Sequence, residues 1–198
     1  NGRFFQTSDG KPFFYLADTA WMLFGRLTLD DVRRLFRNRV EKGFNVIQAC
    51  VFRDLFEPNT PNVDGIRPFA GEEDMYAARL APAWLDHVAE VVRVAGEMGL
   101  AMALLPTWGD KWTKHSNSAG PVIFNPENAH RYGRQLSDRL AEFDNLVWIM
   151  GGDSPLNEPA NIETLNSMAA GIRSGGAGDR LMSFHPCGGR HSAGLHCT

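Results

Sequence analysis

Short apolar runs alternate with longer stretches of helical period along this chain, and that alternation restricts the fold more than any other feature. It is the signature of βα units building a parallel sheet. Five apolar runs carry it: Phe13–Ala17, Phe44–Phe52, Leu100–Leu105, Leu146–Met150 and Leu181–Phe184. The turn dipeptide Asp9-Gly10 stands before the first run, and a short strand through Phe4 and Phe5 is expected ahead of it. Between the runs, Thr28 with Asp31 three residues on reads as a capping box, and Val32, Leu35, Phe36 and Val40 fall on one helical face before Gly43. A second helix places Leu85, Val88, Val92 and Ala95 together and stops at Gly99. A third begins at Asn125-Pro126, an N-cap followed by proline at the first helical position, and buries Ala129, Tyr132, Leu136, Leu140 and Phe143. A fourth carries Ile162, Leu165, Met168, Ala169 and Ile172. The Pro-, Asn- and Gly-rich stretch from Arg53 to Leu80 is long enough to be functional or to hold small elements of its own.

Two architectures accept five such units. An open doubly wound sheet that binds a phosphate needs a glycine-rich first turn, and Asp18-Thr19-Ala20-Trp21 has none. The reading is therefore α/β, a partial (β/α)8 barrel of about five units, since a full barrel takes about 250 residues and the pattern stops after the fifth run. Residues 1–198 are expected to be the N-terminal portion of a barrel catalytic domain, because an unfinished barrel exposes two strand edges that proteins normally cover.

Composition narrows the function classes. The net charge of −3 and the lack of a polybasic run offer no field for a phosphate backbone, so nucleic acid is not expected as a partner. Apolar runs fall far short of the roughly 20 residues a membrane helix requires. Cys50, Cys187 and Cys197 form neither a disulfide framework nor a metal-ligand spacing. No metal and no cofactor are expected, no His-x-His following the first strand and no carboxylate/His cluster having ligand spacing, and serine chemistry lacks its Gly-x-Ser-x-Gly elbow.

In a barrel the site lies at the carboxyl ends of the strands. Those positions here are polar and aromatic. They are Asp18, Thr19 and Trp21 after strand one; Gln48 on strand two, with Arg53 and Asp54 beyond it; Thr107, Trp108, Asp110, Lys111 and Trp112 after strand three; Gly151-Gly152-Asp153 after strand four; and His185 at strand five. Flat apolar faces beside hydrogen-bonding groups suit a sugar. Asp153 has the position of a functional carboxylate, although an aspartate beside glycine also serves as a turn residue. Asp18 fits a site residue and a loop anchor equally. His185 suits a core histidine or a substrate donor, and Trp108 and Trp112 suit loop packing or sugar platforms. Trp21 and Trp148 read as core, Trp21 being also a candidate contact by its place. Asn157-Glu158-Pro159 imitates a barrel-glycosidase motif but lies in the loop after the strand end, so it is set aside.

Six ordered motifs carry a family resemblance: Asp9-Gly10-Lys11-Pro12-Phe13-Phe14, Ala17-Asp18-Thr19-Ala20-Trp21, Lys42-Gly43-Phe44-Asn45-Val46-Ile47-Gln48, Leu105-Pro106-Thr107-Trp108-Gly109, Val147-Trp148-Ile149-Met150-Gly151-Gly152-Asp153, and Phe184-His185-Pro186 with Gly188-Gly189. With them the chain resembles the apiosidase-like glycoside hydrolases. The resemblance implies a retaining glycosidase acting on pectin side chains of plant cell walls, apiose among its sugars, and a periplasmic or extracellular bacterial setting. It makes Asp153 the general acid/base and places the nucleophile, a glutamate, on a later strand beyond Thr198. A carbohydrate is then the expected partner, touched by Asp18, Trp21, Gln48, Trp108, Trp112 and His185. The rival expectations are a barrel that binds sugar without turnover and an open α/β domain with another ligand.

Overall fold

The computed structural model describes residues 4–52, 58–114, 120–156 and 158–187. Asp9-Gly10 makes the expected turn, with the Gly10 N–H donating to the Thr7 carbonyl, and joins β1 (Phe5–Gln6) to β2 (Pro12–Phe13) in an antiparallel hairpin. This hairpin takes Phe13 out of the main sheet. Residues 14–16 are then held by a side chain instead of a ladder: Asn45 accepts from the Leu16 N–H and donates to the Phe14 carbonyl. The first strand of the sheet, β3 (Ala17–Thr19), consequently starts four residues later than the apolar run suggests.

The βα alternation follows. A short helix α1 (Leu23–Arg26) precedes α2 (Leu29–Glu41), whose N-cap Thr28 accepts from the Asp31 N–H at 3.2 Å. After β4 (Val46–Cys50) the long connection contains α3 (Glu72–Tyr76) and leads into α4 (Pro82–Glu97) and β5 (Ala101–Leu105). A 3-10 turn at Gly109–Lys111 precedes α5 (Pro126–Arg139), which opens with a capping box between Asn125 and Asn128. The remaining elements are β6 (Leu146–Gly151), α6 (Pro159–Ser174) and β7 (Leu181–His185).

The five strands β3 to β7 are parallel and lie in chain order. Alternate residues of a strand face opposite sides of a sheet, and here the two sides differ in kind. Ile47, Ala49, Met102, Leu104, Trp148 and Met150 join the helix residues Val32, Phe36, Val88, Val92, Tyr132, Leu136 and Met168 in one core. Trp148, wholly buried there, donates its indole N–H to the Ala177 carbonyl at 3.1 Å. On the other side Val46, Cys50, Ala103, Leu105 and Ile149 form a separate cluster with Trp108, and partly buried Tyr15, Ala17 and Trp21 pack on it. No described helix residue belongs to that second cluster. Helices on one face and strands in chain order are the layering of a barrel wall, whereas a doubly wound sheet carries helices on both faces.

Candidate active site

The end of β6 is built for close approach. Gly151, Gly152 and Asp153 follow one another with φ of 104°, 116° and 54°, all in the left-handed region. A Cβ at Gly151 would lie 2.4 Å from the His185 carbonyl oxygen, and one at Gly152 would lie 2.8 Å from the Gly109 nitrogen. Only glycine fits both the torsions and the space. The turn is clamped from two sides. The Gly152 N–H donates to the His185 carbonyl at 3.1 Å, and the Gly109 N–H donates to the Gly152 carbonyl at 3.0 Å. From the loop after β5, the Trp112 indole N–H donates to the Gly151 carbonyl at 3.3 Å. Asp153 is therefore presented on a backbone that costs about 1–3 kcal/mol to hold in this conformation, the kind of strain that gathers at functional sites.

The Asp153 side chain stays half exposed and faces His185, with Oδ1 at 3.5 Å from the imidazole Nδ1. That nitrogen is buried and makes no hydrogen bond. The imidazole forms a triangle of rings with two indoles: its centroid lies 5.4 Å from Trp21, edge to face, and 5.6 Å from Trp108, while the two indoles are 5.1 Å apart. Three strand ends, those of β3, β5 and β7, thus bring one ring each to the carboxylate at the end of β6. Beside Trp21 opens a cavity of about 430 Å³, lined by Trp21, Phe24, Arg26, Cys50, Phe52 and Trp84 among others. A larger cavity, about 650 Å³, lies between the hairpin and the strand beginnings at Val46, Ala101 and Leu181, the end of a barrel where catalysis is not found.

Of the residues expected at the site, Trp21, Trp108, Asp153 and His185 come together. Gln48 is on the same side of the sheet, but its amide N–H donates to the Tyr15 hydroxyl at 3.1 Å. Tyr15 was not singled out in the sequence; it shares the parity of Phe13 and Ala17, which was the signal available. Burial pushes its phenol pKa up, and the Gln48 bond opposes that. Asp18 is not part of the group. It lies opposite Ile47 in the β3–β4 register, on the helix side, and pairs with Arg39 of α2 at 2.6 Å. A residue whose neighbour Ala17 faces the interior must itself face the helices. Trp112 is not a sugar platform either: 2% exposed and part of the helix-side core, it acts through its N–H on the Gly151 carbonyl. Lys111 and Asp110 form a buried ion pair at 2.8 Å beneath the same loop. Glu158, from the tripeptide set aside, is an exposed N-cap of α6. Arg53, Asp54, Asn157, Gly188 and Gly189 lie outside the described residues.

Among the described residues no three His, Cys, Asp or Glu side chains gather into a metal-binding group, and no helix is long and apolar enough to cross a membrane.

A one-sided parallel sheet with its strands in chain order, carrying a carboxylate, an imidazole and two indoles at its strand ends, places the chain in the class of α/β barrels. Within it, the sequence matches the description "Apiosidase-like, catalytic domain" over residues 1–196, and the chain belongs to that family. Solved structures agree. A glycoside hydrolase family 5 protein from Bacteroides vulgatus ATCC 8482 is 26% identical, with a TM-score of 0.78 over 96% of this chain and 38% of its own. Another, called simply a glycoside hydrolase, is 25% identical, with a TM-score of 0.76 over 94% and 39%. The exo-β-1,4-mannosidase Op5Man5 from Opitutaceae bacterium strain TAV5 shares the fold at 17% identity and a TM-score of 0.62, over 90% and 33%. The chain thus spans well under half the length of these proteins. No curated protein matches the sequence.

Proposed function

We propose that the chain supplies the first part of the catalytic barrel of a retaining glycosidase that removes sugars from pectin-type side chains, with Asp153 as general acid/base. The observation that carries this reading is the Asp153 carboxylate itself, set on a strained, doubly clamped turn at a strand end and facing His185 beside two indoles. A retaining enzyme needs a second carboxylate about 5–5.5 Å from the first. In this reading it is a glutamate of a later strand, following Thr198. Asp153 protonates the glycosidic oxygen as that carboxylate attacks the anomeric carbon; the aspartate then takes a proton from the water that releases the sugar. The partly exposed Trp21, with the buried Trp108 packed against it, supplies an apolar face for the sugar ring. A sugar polymer as substrate suits a periplasmic or extracellular setting.

The test is Asp153→Asn in the enzyme with its whole barrel. The change keeps the shape and removes the proton donor, so a substrate with a sugar alkoxide leaving group should lose turnover by about 10²- to 10⁴-fold. An aryl glycoside with a good leaving group, needing little protonation, should lose much less. Equal losses on both would overturn the acid/base assignment. The 198 residues alone are expected to turn over neither substrate.

A further inference from the structure

We propose that His185 is a positioning residue for Asp153: its Nδ1–H donates to Oδ1 and so leaves Oδ2 as the oxygen that carries the working proton. The inference rests on the acid/base reading of Asp153 and adds to it the group that orients the carboxyl.

Three observations lead there. A half-exposed carboxylate on a single-residue turn has two free torsions, and nothing in the clamped backbone fixes them, because every clamp acts on Gly151 or Gly152. Next, His185 Nδ1 is buried and without a hydrogen bond, a condition native proteins normally avoid, and its partner in the ion-pair geometry is Asp153 Oδ1 at 3.5 Å. Finally, the imidazole itself cannot wander. Its backbone carbonyl receives the Gly152 N–H, and its ring is packed against the adjoining indoles of Trp21 and Trp108. A fixed donor therefore faces a movable acceptor across a gap that a small side-chain rotation of Asp153 closes to hydrogen-bond length, as catalytic contacts commonly do once substrate is seated. With Oδ1 held, the proton leaves Oδ2 for the glycosidic oxygen as the C–O bond breaks, and Oδ2 accepts the water proton in the second half. His185 keeps its own proton throughout.

Two substitutions separate this role from simple packing. His185→Phe keeps a ring against Trp21 and Trp108 but removes the donor; His185→Asn keeps an N–H near the Nδ1 position but gives up the ring. In the enzyme with its whole barrel, His185→Phe should lower kcat on an alkyl glycoside by about 10- to 100-fold, the scale of a hydrogen bond to a charged group. Its effect on an activated aryl glycoside should be smaller, with KM little changed. His185→Asn should recover most of the lost kcat. In an Asp153→Asn background His185→Phe should add no further loss, since the two changes remove one function. The proposal is overturned if His185→Phe turns over the alkyl glycoside like the unaltered enzyme, or if His185→Asn is no better than His185→Phe. Failure of the acid/base reading looks different: Asp153→Asn would then lose equally on both substrates. A leaving-group-selective Asp153→Asn beside an indifferent His185→Phe removes only the role given to His185.

Discussion

Asp18 and Asp153 stand at comparable places, each where a strand of the parallel sheet gives way to a loop, yet the structure uses them in opposite ways. Asp18 is the second residue of β3, and its parity sends it to the helices, where Arg39 of α2 neutralises it. Asp153 lies two residues past the last strand residue of β6, beyond the reach of strand parity, and its direction comes from two glycines and their clamps. The first end is closed by side chains packing on helices: α1 follows at once, and His87 of α4 donates its Nε2–H to the Phe24 carbonyl at 3.0 Å. The fourth end is closed by backbone bonds and the Trp112 indole N–H, and leaves its carboxylate half exposed. Of the two carboxylates, the one that has escaped the alternation of its strand is the one that faces the rings of the other strand ends.

That contrast can be broken in graded steps, with turnover read in the enzyme with its whole barrel. The most severe is Gly109→Ala, whose Cβ would sit 2.1 Å from the Ser154 Oγ and 2.3 Å from the Gly152 carbonyl oxygen. Forcing it in should cost about 1–3 kcal/mol in denaturant unfolding and displace Asp153, so turnover should fall with stability. Next comes a pair that tests the division of labour. Asp18→Ala should lower stability by about 1 kcal/mol, since the Arg39 pair is only partly exposed, and leave kcat unchanged. Asp153→Gly should do the reverse, relieving a φ of 54° to gain about 0.5–1 kcal/mol while abolishing acid catalysis. Loss of turnover in Asp18→Ala at full stability would show that the two ends are not separate.

The smallest effect is one of pH. Burial holds the His87 pKa below its ordinary 6.5, against the opposing pull of the Phe24 carbonyl and Asp64. As pH falls below 6.5, the unfolded chain binds a proton that the folded chain resists, so stability should decline across that window until the folded imidazole also protonates. Unfolding midpoints at about pH 7 and about pH 5 should differ less in His87→Gln than in the unaltered chain.

Much of the wall was legible because apolar period and capping chemistry are local. Thr28, Asn125 and Pro126 act where their types say they should, and the five parallel strands follow from the alternation. The first strand was misplaced because an antiparallel hairpin claims Phe13 and the Asn45 side chain claims residues 14–16, contacts that span up to 31 residues. The meeting of Trp21, Trp108, Asp153 and His185 was readable from their position at strand ends. Asp18 and Trp112 were not, because exposure of one side of a residue or the other depends on exact register and on what packs over a loop. Tyr15 was passed over for the same reason, its hydroxyl finding Gln48 across the interior.

The arrangement of strands in chain order has a consequence for how the molecule comes into being. Each of β4 to β7 pairs with the strand laid down immediately before it, so among these five strands no pairing waits for a later one. During synthesis, every newly emerged strand of this series meets a finished edge on one side. Growth of this kind is additive, like laying staves one after another. The carboxylate turn at the fourth stave takes its final form only when the fifth arrives, because the Gly152 N–H waits for the His185 carbonyl.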